Sequence, residues 1–297
     1  MYNIYMDLEQ EIDVTVIIIN YKTCSLTLDC IRSVFEKTAN IHFEIIVVDN
    51  ASGDECVAVL NEAFPAVKVI EPNTNLGFGK ANNLAASHAK GRYLFFLNSD
   101  TVLLNNAIEA LFSCLQSDVG KTMGICGPNL FTKELRAHHS YATSYPSLLN
   151  IFLYRSRLSK FFRKTDVFNV TGKIKDVAII IGAALFIPAR VFEELEGFDP
   201  VFFMYVEDGD LSYRAKAMGY RIVSVPNAKI IHYQGKSSST GSKLIMEVTS
   251  YIYYFKKHTQ FKTVRIYKLI EFFFASIKFI LFSLWKKETT DCLPGLT

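Results

Sequence analysis

The sequence lacks the features that mark disulfide-rich, zinc-finger and membrane-spanning proteins. Its six cysteines in 297 residues are scattered, with no C-x-x-C pair, so nothing in their spacing indicates a zinc site or a disulfide framework. We expect reduced thiols in the cytoplasm. No apolar run reaches the roughly 20 uninterrupted residues that a transmembrane helix needs. Residues 1–13 carry acids and no basic segment, so we expect no secretory signal.

Charged residues are few and unevenly distributed. They make up 21% of the chain, half of the residues are apolar, and the net charge is +3. This composition is typical of a globular domain and excludes disorder, collagen and coiled coil. Residues 251–287 hold eight lysines and arginines and one glutamate, whereas the rest of the chain has 24 basic and 28 acidic residues. The basic segment therefore needs its own explanation.

Apolar runs and helical patterns alternate along the first 116 residues. Strand-like runs cover residues 14–20, 44–49, 67–70 and 93–98, and helical patterns cover residues 26–37, 55–64, 79–90 and 105–116. This order predicts an α/β fold with a doubly wound, mainly parallel sheet, whose ligands bind outside the carboxyl ends of the strands. Three polar groups fall at those ends: Asn20, Asp49 and the segment 98–100.

The second half of the chain is less regular. Residues 130–175 show no dominant pattern, and we expect His138 and His139 to lie in a solvated loop there. Further on, the pattern predicts a strand at 177–187, a helix at 188–197, a helix at 208–218, and strands at 221–225 and 228–233.

The polar strand ends indicate metal and nucleotide binding. Asp100, which follows Asn98 and Ser99, offers the oxygen ligand that Mg²⁺ or Mn²⁺ prefers, although a turn alone also favours these residue types. Asp49 is able to accept a hydrogen bond from a pyrimidine imide group. The sequence therefore predicts the metal near Asp100 and the nucleotide base near Asp49.

A glycine-containing turn leads into the third helical pattern. The run from Asn75 through Gly77 to Asn82 permits a ligand to approach the backbone closely. It lacks the third glycine of a dinucleotide fingerprint, which excludes that interpretation. The turn is therefore a candidate donor-binding element.

Four segments in this order carry a family resemblance. They are residues 17–21, V-D-N-A-S at 48–52, N-x-G-F-G at 75–79 and L-N-S-D-T at 97–101. Together they resemble glycosyltransferase family 2, most closely its bacterial rhamnosyltransferase-like branch, over roughly residues 14–260. The resemblance implies the GT-A fold, a nucleotide-diphosphate sugar donor, a divalent cation (Mg²⁺ or Mn²⁺) and inversion of the anomeric centre.

The resemblance continues on the acceptor side, through Gly182 and Ala183 and the E-D-x-D-L-x-x-R element at 207–214. It implies that Asp208 is the catalytic base, a sensible role because inverting transfer needs a carboxylate facing the acceptor hydroxyl. Glu207 and Asp210 are expected to orient the acceptor or Arg214, and all three are candidate substrate-binding residues.

The resemblance also implies a metal-binding histidine at His232, to act with Asp100, although a lone histidine at a strand end also serves structural roles. Lys236, in the Gly/Ser-rich stretch that follows, is a candidate phosphate contact. The chain departs from the family pattern by having N-S-D in place of D-x-D at 98–100, and D-N in place of an acidic pair at 49–50. Each departure removes one carboxylate. At 98–100 this leaves Asp100 as the acidic metal ligand of the motif.

Residues 264–287 are apolar and helix-compatible but interrupted by Glu271 and Lys278. We expect a GT-A domain at 1–260 followed by a basic amphipathic extension at 261–297, which lies on the anionic inner face of the cell membrane as a peripheral element. Packing of this helix on the domain, or on a second copy in a homodimer, is the alternative.

The expected function is transfer of a sugar, with rhamnose a candidate, to a hydroxyl of a glycan or lipid-linked glycan in cell-surface polysaccharide synthesis. An inactive membrane-surface scaffold is the rival, because asparagine replaces an acid at positions 50 and 98. A sugar nucleotidyltransferase is disfavoured, because residues 20–25 contain no glycine for a triphosphate loop. No nucleic-acid partner is expected, since the basic residues cluster with Phe, Ile and Leu.

Overall fold

The computed structural model describes residues 11–117, 122–158, 166–233 and 240–291. Its strands, in chain order, are β1 (Val14–Asn20), β2 (Phe43–Asp49), β3 (Lys68–Ile70), β4 (Tyr93–Asn98), β5 (Thr101–Leu103), β6 (Met123–Phe131), β7 (Tyr141–Ala142), β8 (Lys175–Asp176), β9 (Ile179–Ile180), β10 (Ala184–Pro188) and β11 (Arg221–His232). Its helices are α1 (Cys24–Lys37), α2 (Cys56–Ala63), α3 (Gly77–Ala86), α4 (Ala107–Gln116), α5 (Leu148–Arg155), α6 (Ala189–Glu194), α7 (Glu207–Ala217), α8 (Thr240–His258) and α9 (Phe261–Asp291).

Most of these strands form one mixed sheet. Its order is β3-β2-β1-β4-β10-β6-β11-β5, with β8 beside β11. β1 pairs in parallel with β2 and β4, and β6 pairs in parallel with β11, whereas β10 runs antiparallel between β4 and β6. The predicted doubly wound, mainly parallel sheet is therefore confirmed, with the reversed strand β10 in its middle.

Helices cover both faces of this sheet because its central strands are apolar on both sides. Val14, Val16 and Ile18 of β1 belong to a buried cluster shared with α1, α2 and α4. Ile17 points the other way, into a second cluster shared with α3, α6 and α7. Alternate residues of one strand thus enter two cores, as expected for a parallel sheet in an α/β layer structure.

Two predicted strand boundaries are wrong. The run at 177–187 is divided into β9 and β10 by a turn, in which the Ala184 amide donates to the Ile181 carbonyl at 3.2 Å. The runs at 221–225 and 228–233 are instead one strand, β11, whose register with β6 shifts after Val225. Pro226 has no amide proton, so the ladder is interrupted at a bulge without the strand ending.

The chain forms two compact units. One contains the described residues up to Tyr145 and from Asp166 to Met246, and the other contains residues 146–158 and 247–291 of those described. This division does not follow the boundary at residue 260 expected from the sequence, because α5 and the second part of α8 group with α9.

An aromatic cluster and partly buried ion pairs hold the second unit together. Tyr254 and Phe255 of α8 and Tyr267 of α9 are at most 1% exposed. The Arg155 guanidinium of α5 lies 3.0 Å from the Glu271 carboxylate and 3.6 Å from that of Glu247. Across the described ranges, no helix carries an apolar stretch long enough to cross a membrane.

Gly77 opens α3 at a point of close backbone approach. Its φ is +76°, and a Cβ placed there would lie 2.3 Å from the Phe203 carbonyl oxygen. The same oxygen accepts a hydrogen bond from the Phe78 amide at 2.7 Å. Glycine is required both for the left-handed conformation and for the contact, so Gly77 sets the distance between α3 and the segment that leads into α7.

We predict that Gly77→Ala lowers the free energy of unfolding more than Gly172→Ala. Gly172 has a similar φ of +69°, but nothing lies within 4 Å of the position that its Cβ would take, so its substitution measures the conformational cost alone, about 1–2 kcal/mol. The Gly77 variant has this conformational cost and also the cost of displacing the Phe203 carbonyl, which the new Cβ would contact. Urea unfolding of both variants provides the measurement, and equal losses of stability would contradict the close approach.

Candidate active site

The turn between β4 and β5 brings Asp100 to His232. β5 pairs with the end of β11, with Thr101 opposite His232, and the Tyr233 amide donates to the Asp100 carbonyl at 2.9 Å. The His232 Nε2 atom lies 3.3 Å from Asp100 Oδ1, and the two side chains are 13% and 10% exposed. The acid and the imidazole, far apart in the sequence, are thus neighbours at the sheet edge.

This pair has the chemistry and spacing of two cation ligands. Ligands about 2.1 Å from an octahedral ion lie about 3 Å from each other, close to the observed 3.3 Å. The other ring nitrogen of His232, Nδ1, is buried and has no hydrogen-bond partner among the described residues. A carboxylate together with an imidazole suits Mn²⁺ better than Mg²⁺, which favours oxygen ligands alone.

Asp208 lies at the start of α7, and two backbone amides hold its carboxylate. The Gly182 amide donates to Oδ2 at 2.9 Å and the Gly209 amide donates to Oδ1 at 2.7 Å. The residue after Gly182, Ala183, accepts a hydrogen bond from the Asn98 amide at 2.9 Å. The turn before β10 therefore joins the end of β4, two residues from Asp100, to the Asp208 carboxylate.

Burial changes the acid–base properties of the two carboxylates at the start of α7. Burial raises the pKa of Asp208, against the lowering effect of the two amides and of the nearby His139. The pKa of Glu207 rises to about 8, because this side chain is buried and Asp208 lies next to it. Near neutral pH the two acids are therefore not both ionised.

A chain of hydrogen bonds connects the end of β2 to the turn between β4 and β5, which contains Ser99 and Asp100. Asn20 Nδ2 donates to Asp49 Oδ1 at 2.5 Å, Thr23 Oγ1 donates to Asn20 Oδ1 at 2.9 Å, and the Thr23 and Ser99 hydroxyls are 2.9 Å apart. Ser52 donates to both oxygens of Asp49. Asn20 is fully buried and Asp49 is 3% exposed, so Asn20 serves to hold Asp49 in place.

The glycine-containing turn is tied to the strand end by Asn50. The Asn50 side-chain amide donates to the Asn75 side chain and to the Gly77 carbonyl, each at 3.1 Å, and its oxygen accepts from the Leu76 amide. Asn82, predicted to contact substrate, is 1% exposed and donates to the Phe78 carbonyl of its own helix. The substrate contact of Asn82 therefore stays a prediction, and in the structure its side chain is held by its own helix.

Asp210 and Arg214 form an ion pair within α7. Arg214 Nε donates to Asp210 Oδ2 at 2.8 Å, and its other nitrogens donate to the Leu195 and Gly197 carbonyls. The Asp210 side chain is fully buried. The pair anchors α7 to the turn after α6, so Asp210 orients Arg214, one of its two expected roles, and the acceptor contact stays a prediction. Lys236 lies outside the described residues.

Two histidines at the site were missed by the sequence reasoning. His138 is half-buried, and its ring centroid lies 5.5 Å from that of His232. His139, although exposed, interacts electrostatically with Asp208. The expectation of a solvated loop is therefore wrong for His138. The sequence shows only two adjacent histidines at this point. Nothing in it indicated that the segment carrying them returns to the end of β11, where His232 lies.

A second group of ligand-type atoms lies beside Asp49. Among the described residues, Asp49, Asp54 and Cys56 bring such atoms within 4.8 Å of one another. Both Asp49 oxygens already accept hydrogen bonds from Ser52 or Asn20, whereas Asp100 and His232 present their ligand atoms to each other. The Asp100–His232 pair is therefore the better candidate for the catalytic cation.

The mixed α/β structure, with its mostly parallel central sheet, has the GT-A fold of glycosyltransferases. Residues 15–173 match the family model described as Glycosyl transferase family 2. The chain belongs to this family and is a glycosyltransferase, as the sequence resemblance implied.

Similar proteins agree with this assignment. The chain is 27% identical over 201 residues to the rhamnosyltransferase WbbL of Escherichia coli, covering 65% of this chain and 73% of the relative. It is 25% identical over 216 residues to an N-acetylglucosaminyl-diphospho-decaprenol L-rhamnosyltransferase of Mycobacterium tuberculosis, covering 66% and 68%. The crystal structure of GalNAc-T7 with UDP, GalNAc and Mn²⁺ has a TM-score of 0.61 at 18% identity; the match covers 84% of this chain and 48% of the other, and shows the shared fold.

We predict that Glu207→Gln stabilises the protein in a pH-dependent way. The pKa of Glu207 is about 8 in the folded state and 4.5 for the free side chain, so the folded state retains a proton that the unfolded state releases. Wild-type stability must therefore fall as the pH rises between these values. The variant should gain about 1–3 kcal/mol at pH 7 and almost nothing near pH 4.5.

Urea unfolding at a series of pH values measures this difference. Glu193→Gln, at an exposed position of α6, is the matched control and should leave the pH dependence unchanged. A pH-independent effect at Glu207 would show that its carboxyl group ionises normally.

Proposed function

We propose that this glycosyltransferase moves a sugar from a nucleotide-diphosphate donor to a hydroxyl of a glycan or lipid-linked glycan, with inversion and with the help of a divalent cation. The observation that carries the proposal is the turn at Gly182 and Ala183. It hydrogen-bonds the end of β4, next to Asp100, and also the Asp208 carboxylate. An inverting transfer needs a cation for the leaving diphosphate and a base for the acceptor hydroxyl. This turn hydrogen-bonds to the two segments that carry the candidates for these roles.

On the donor side, Asp100 and His232 would hold Mn²⁺ or Mg²⁺. A bound divalent cation would neutralise the charge that develops on the leaving diphosphate. Asp49, held by Asn20 and Ser52, presents the carboxylate proposed to bind the nucleotide base. The hydrogen bonds through Thr23 to Ser99 keep the base end and the diphosphate end of the site in a fixed relation.

On the acceptor side, Asp208 would remove the hydroxyl proton. Burial raises the pKa of Asp208 and thereby makes it a stronger base once ionised, because proton transfer is most efficient when the pKa is near the working pH. Glu207, with a pKa of about 8, keeps its proton near pH 7, so it adds little negative charge to the base. The amides of Gly182 and Gly209 orient the Asp208 oxygens.

The names of the relatives support a narrower proposal for the substrates. Two are rhamnosyltransferases, and the mycobacterial one is named for a decaprenol-linked diphosphate sugar. We therefore infer a deoxysugar donor such as a nucleotide-linked rhamnose, and an acceptor on a polyprenyl diphosphate carrier. Both belong to polysaccharide synthesis.

Asp208→Asn should abolish transfer while leaving donor binding intact. The amide keeps the shape of the side chain but cannot take a proton, so the rate should fall by about 10²–10⁴-fold. A panel of nucleotide sugars with Mn²⁺ and Mg²⁺, assayed for nucleoside-diphosphate release, measures turnover; NMR of the product tests inversion. Equilibrium dialysis measures donor binding.

Asp29→Asn, an exposed carboxylate of α1, is the control and should turn over normally. Normal turnover of Asp208→Asn would remove the base assignment. Donor binding without turnover in the wild-type protein would favour the inactive scaffold instead.

The outer side of α9 supports a proposal of peripheral membrane association. Val264 and Tyr267 are buried, whereas large apolar side chains elsewhere on the helix are 47–73% exposed: Ile266, Leu269, Phe272, Phe273, Phe279 and Ile280. Surface helices usually expose polar residues opposite their packed side. An exposed apolar face of this kind marks a site that a membrane or another protein surface covers. Exposed Lys262, Arg265 and Lys268 favour an anionic lipid surface as that cover.

Replacing Phe272 and Phe279 with glutamate should release the protein from anionic vesicles. Burial of one such side chain contributes about 1.5–3 kcal/mol, so each substitution should weaken binding by roughly tenfold or more. Point substitutions are preferable to deletion of 264–297, which also removes the packed Tyr267 and Glu271. Sedimentation with phosphatidylglycerol vesicles provides the measurement.

Val170→Glu, at an 84% exposed position of the other unit, is the matched control. Unchanged vesicle binding by the double variant would refute the membrane proposal. A change in oligomeric state without vesicle binding would point instead to a second copy covering this face.

A further inference from the structure

We propose that His138 is a positioning residue for His232: it packs against the His232 ring, and it accepts a hydrogen bond from His232 Nδ1–H when Nε2 faces a cation. The inference rests on the proposed cation site at Asp100 and His232. It adds a residue that neither the sequence motifs nor the comparisons assign.

The first step is the incomplete hydrogen bonding of His232. Its Nε2 faces Asp100 at 3.3 Å, so a cation at this pair would bind Nε2 and leave the ring proton on Nδ1. Nδ1 is buried and has no partner among the described residues. Metal-binding histidines nearly always donate this second N–H to an acceptor, which fixes the ring plane and tautomer, and an unsatisfied buried donor is costly.

The second step is the position of His138. Its ring meets the His232 ring at 5.5 Å between centroids and 66° between planes, an edge-to-face contact. Its own Nδ1 lies 3.4 Å from the His139 carbonyl oxygen, beyond a good hydrogen-bond distance. The two rings are in contact without a hydrogen bond between them. A neutral imidazole has one acceptor nitrogen, so a rotation of the His138 side chain would present to His232 Nδ1 the acceptor that it lacks.

The third step is that the backbone of His138 is fixed. Its amide donates to the Leu130 carbonyl at 2.9 Å, and its carbonyl accepts from the Ser140 hydroxyl at 2.9 Å. The Leu130 amide in turn donates to that hydroxyl at 2.8 Å. Because this part of the chain is tied to β6, the neighbour of β11, the imidazole is kept beside His232.

Three substitutions separate packing from hydrogen bonding. His138→Ala removes both, His138→Phe keeps a ring without an acceptor, and His138→Gln keeps an acceptor without the ring. Titration of each protein with Mn²⁺ alone, followed by the electron paramagnetic resonance signal of the free ion, measures affinity without requiring turnover. We expect the alanine and phenylalanine variants to bind Mn²⁺ about 10–100-fold more weakly, and glutamine to restore most of the affinity.

Further variants distinguish the possible failures. His88→Phe, at an exposed histidine just after α3, should bind Mn²⁺ like the wild type. If Asp100→Asn binds Mn²⁺ like the wild type, the cation site itself is misplaced. If Asp100→Asn loses binding but His138→Phe does not, the cation site stands and the acceptor role of His138 is overturned. Thermal unfolding of each variant identifies any loss of fold, and the glutamine rescue cannot arise from unfolding.

Discussion

The hydrogen bond between the Gly182 amide and the Asp208 carboxylate is the interaction on which the geometry of the site depends. Gly182 lies in the turn between β9 and β10, and its amide donates to the Asp208 carboxylate at the start of α7. The adjacent Ala183 carbonyl bonds the end of β4. Two neighbouring residues of one turn thus hydrogen-bond to the end of β4, two residues before Asp100, and to the carboxylate of Asp208, the proposed base.

This arrangement lowers the stability of the folded protein because carboxylates are buried at the start of α7. Glu207, Asp208 and Asp210 are all in the first turn, where the helix dipole favours negative charge. Asp210 is neutralised by Arg214, but Glu207 has a buried oxygen without a partner among the described residues. Val206, just before the helix, has a φ of +71°, a strained conformation for a β-branched residue. Strain and unpaired burial thus occur together next to the proposed base.

Strands and helices with a regular spacing of hydrophobic residues could be predicted from the sequence, whereas features that depend on close packing between distant segments could not. β1 and β2 have apolar residues on both faces, and this pattern alone identifies buried parallel strands. β6 contains Gly124, Gly127 and Pro128, which resemble a turn in sequence. A Cβ on Gly127 would lie 2.3 Å from Ile180 Cγ2, so glycine is present because another strand comes close, not because the chain turns. Asp100 and Asp208 were found through motif resemblance, whereas His138 depends on a return of the chain that no local pattern records.

The asparagines at positions 50 and 98 illustrate why missing acids need not mean a lost site. The Asn50 amide donates two hydrogen bonds, to Asn75 and Gly77, and its oxygen accepts a third; an ionised aspartate has no proton to donate. Asparagine is therefore required where an acid would release the turn that opens α3. At the proposed cation site one carboxylate remains, that of Asp100, and the His232 imidazole would supply the second ligand. The affinity of that imidazole for a cation would then depend on a hydrogen-bond acceptor for its Nδ1 atom, which is the role proposed for the His138 ring packed against it.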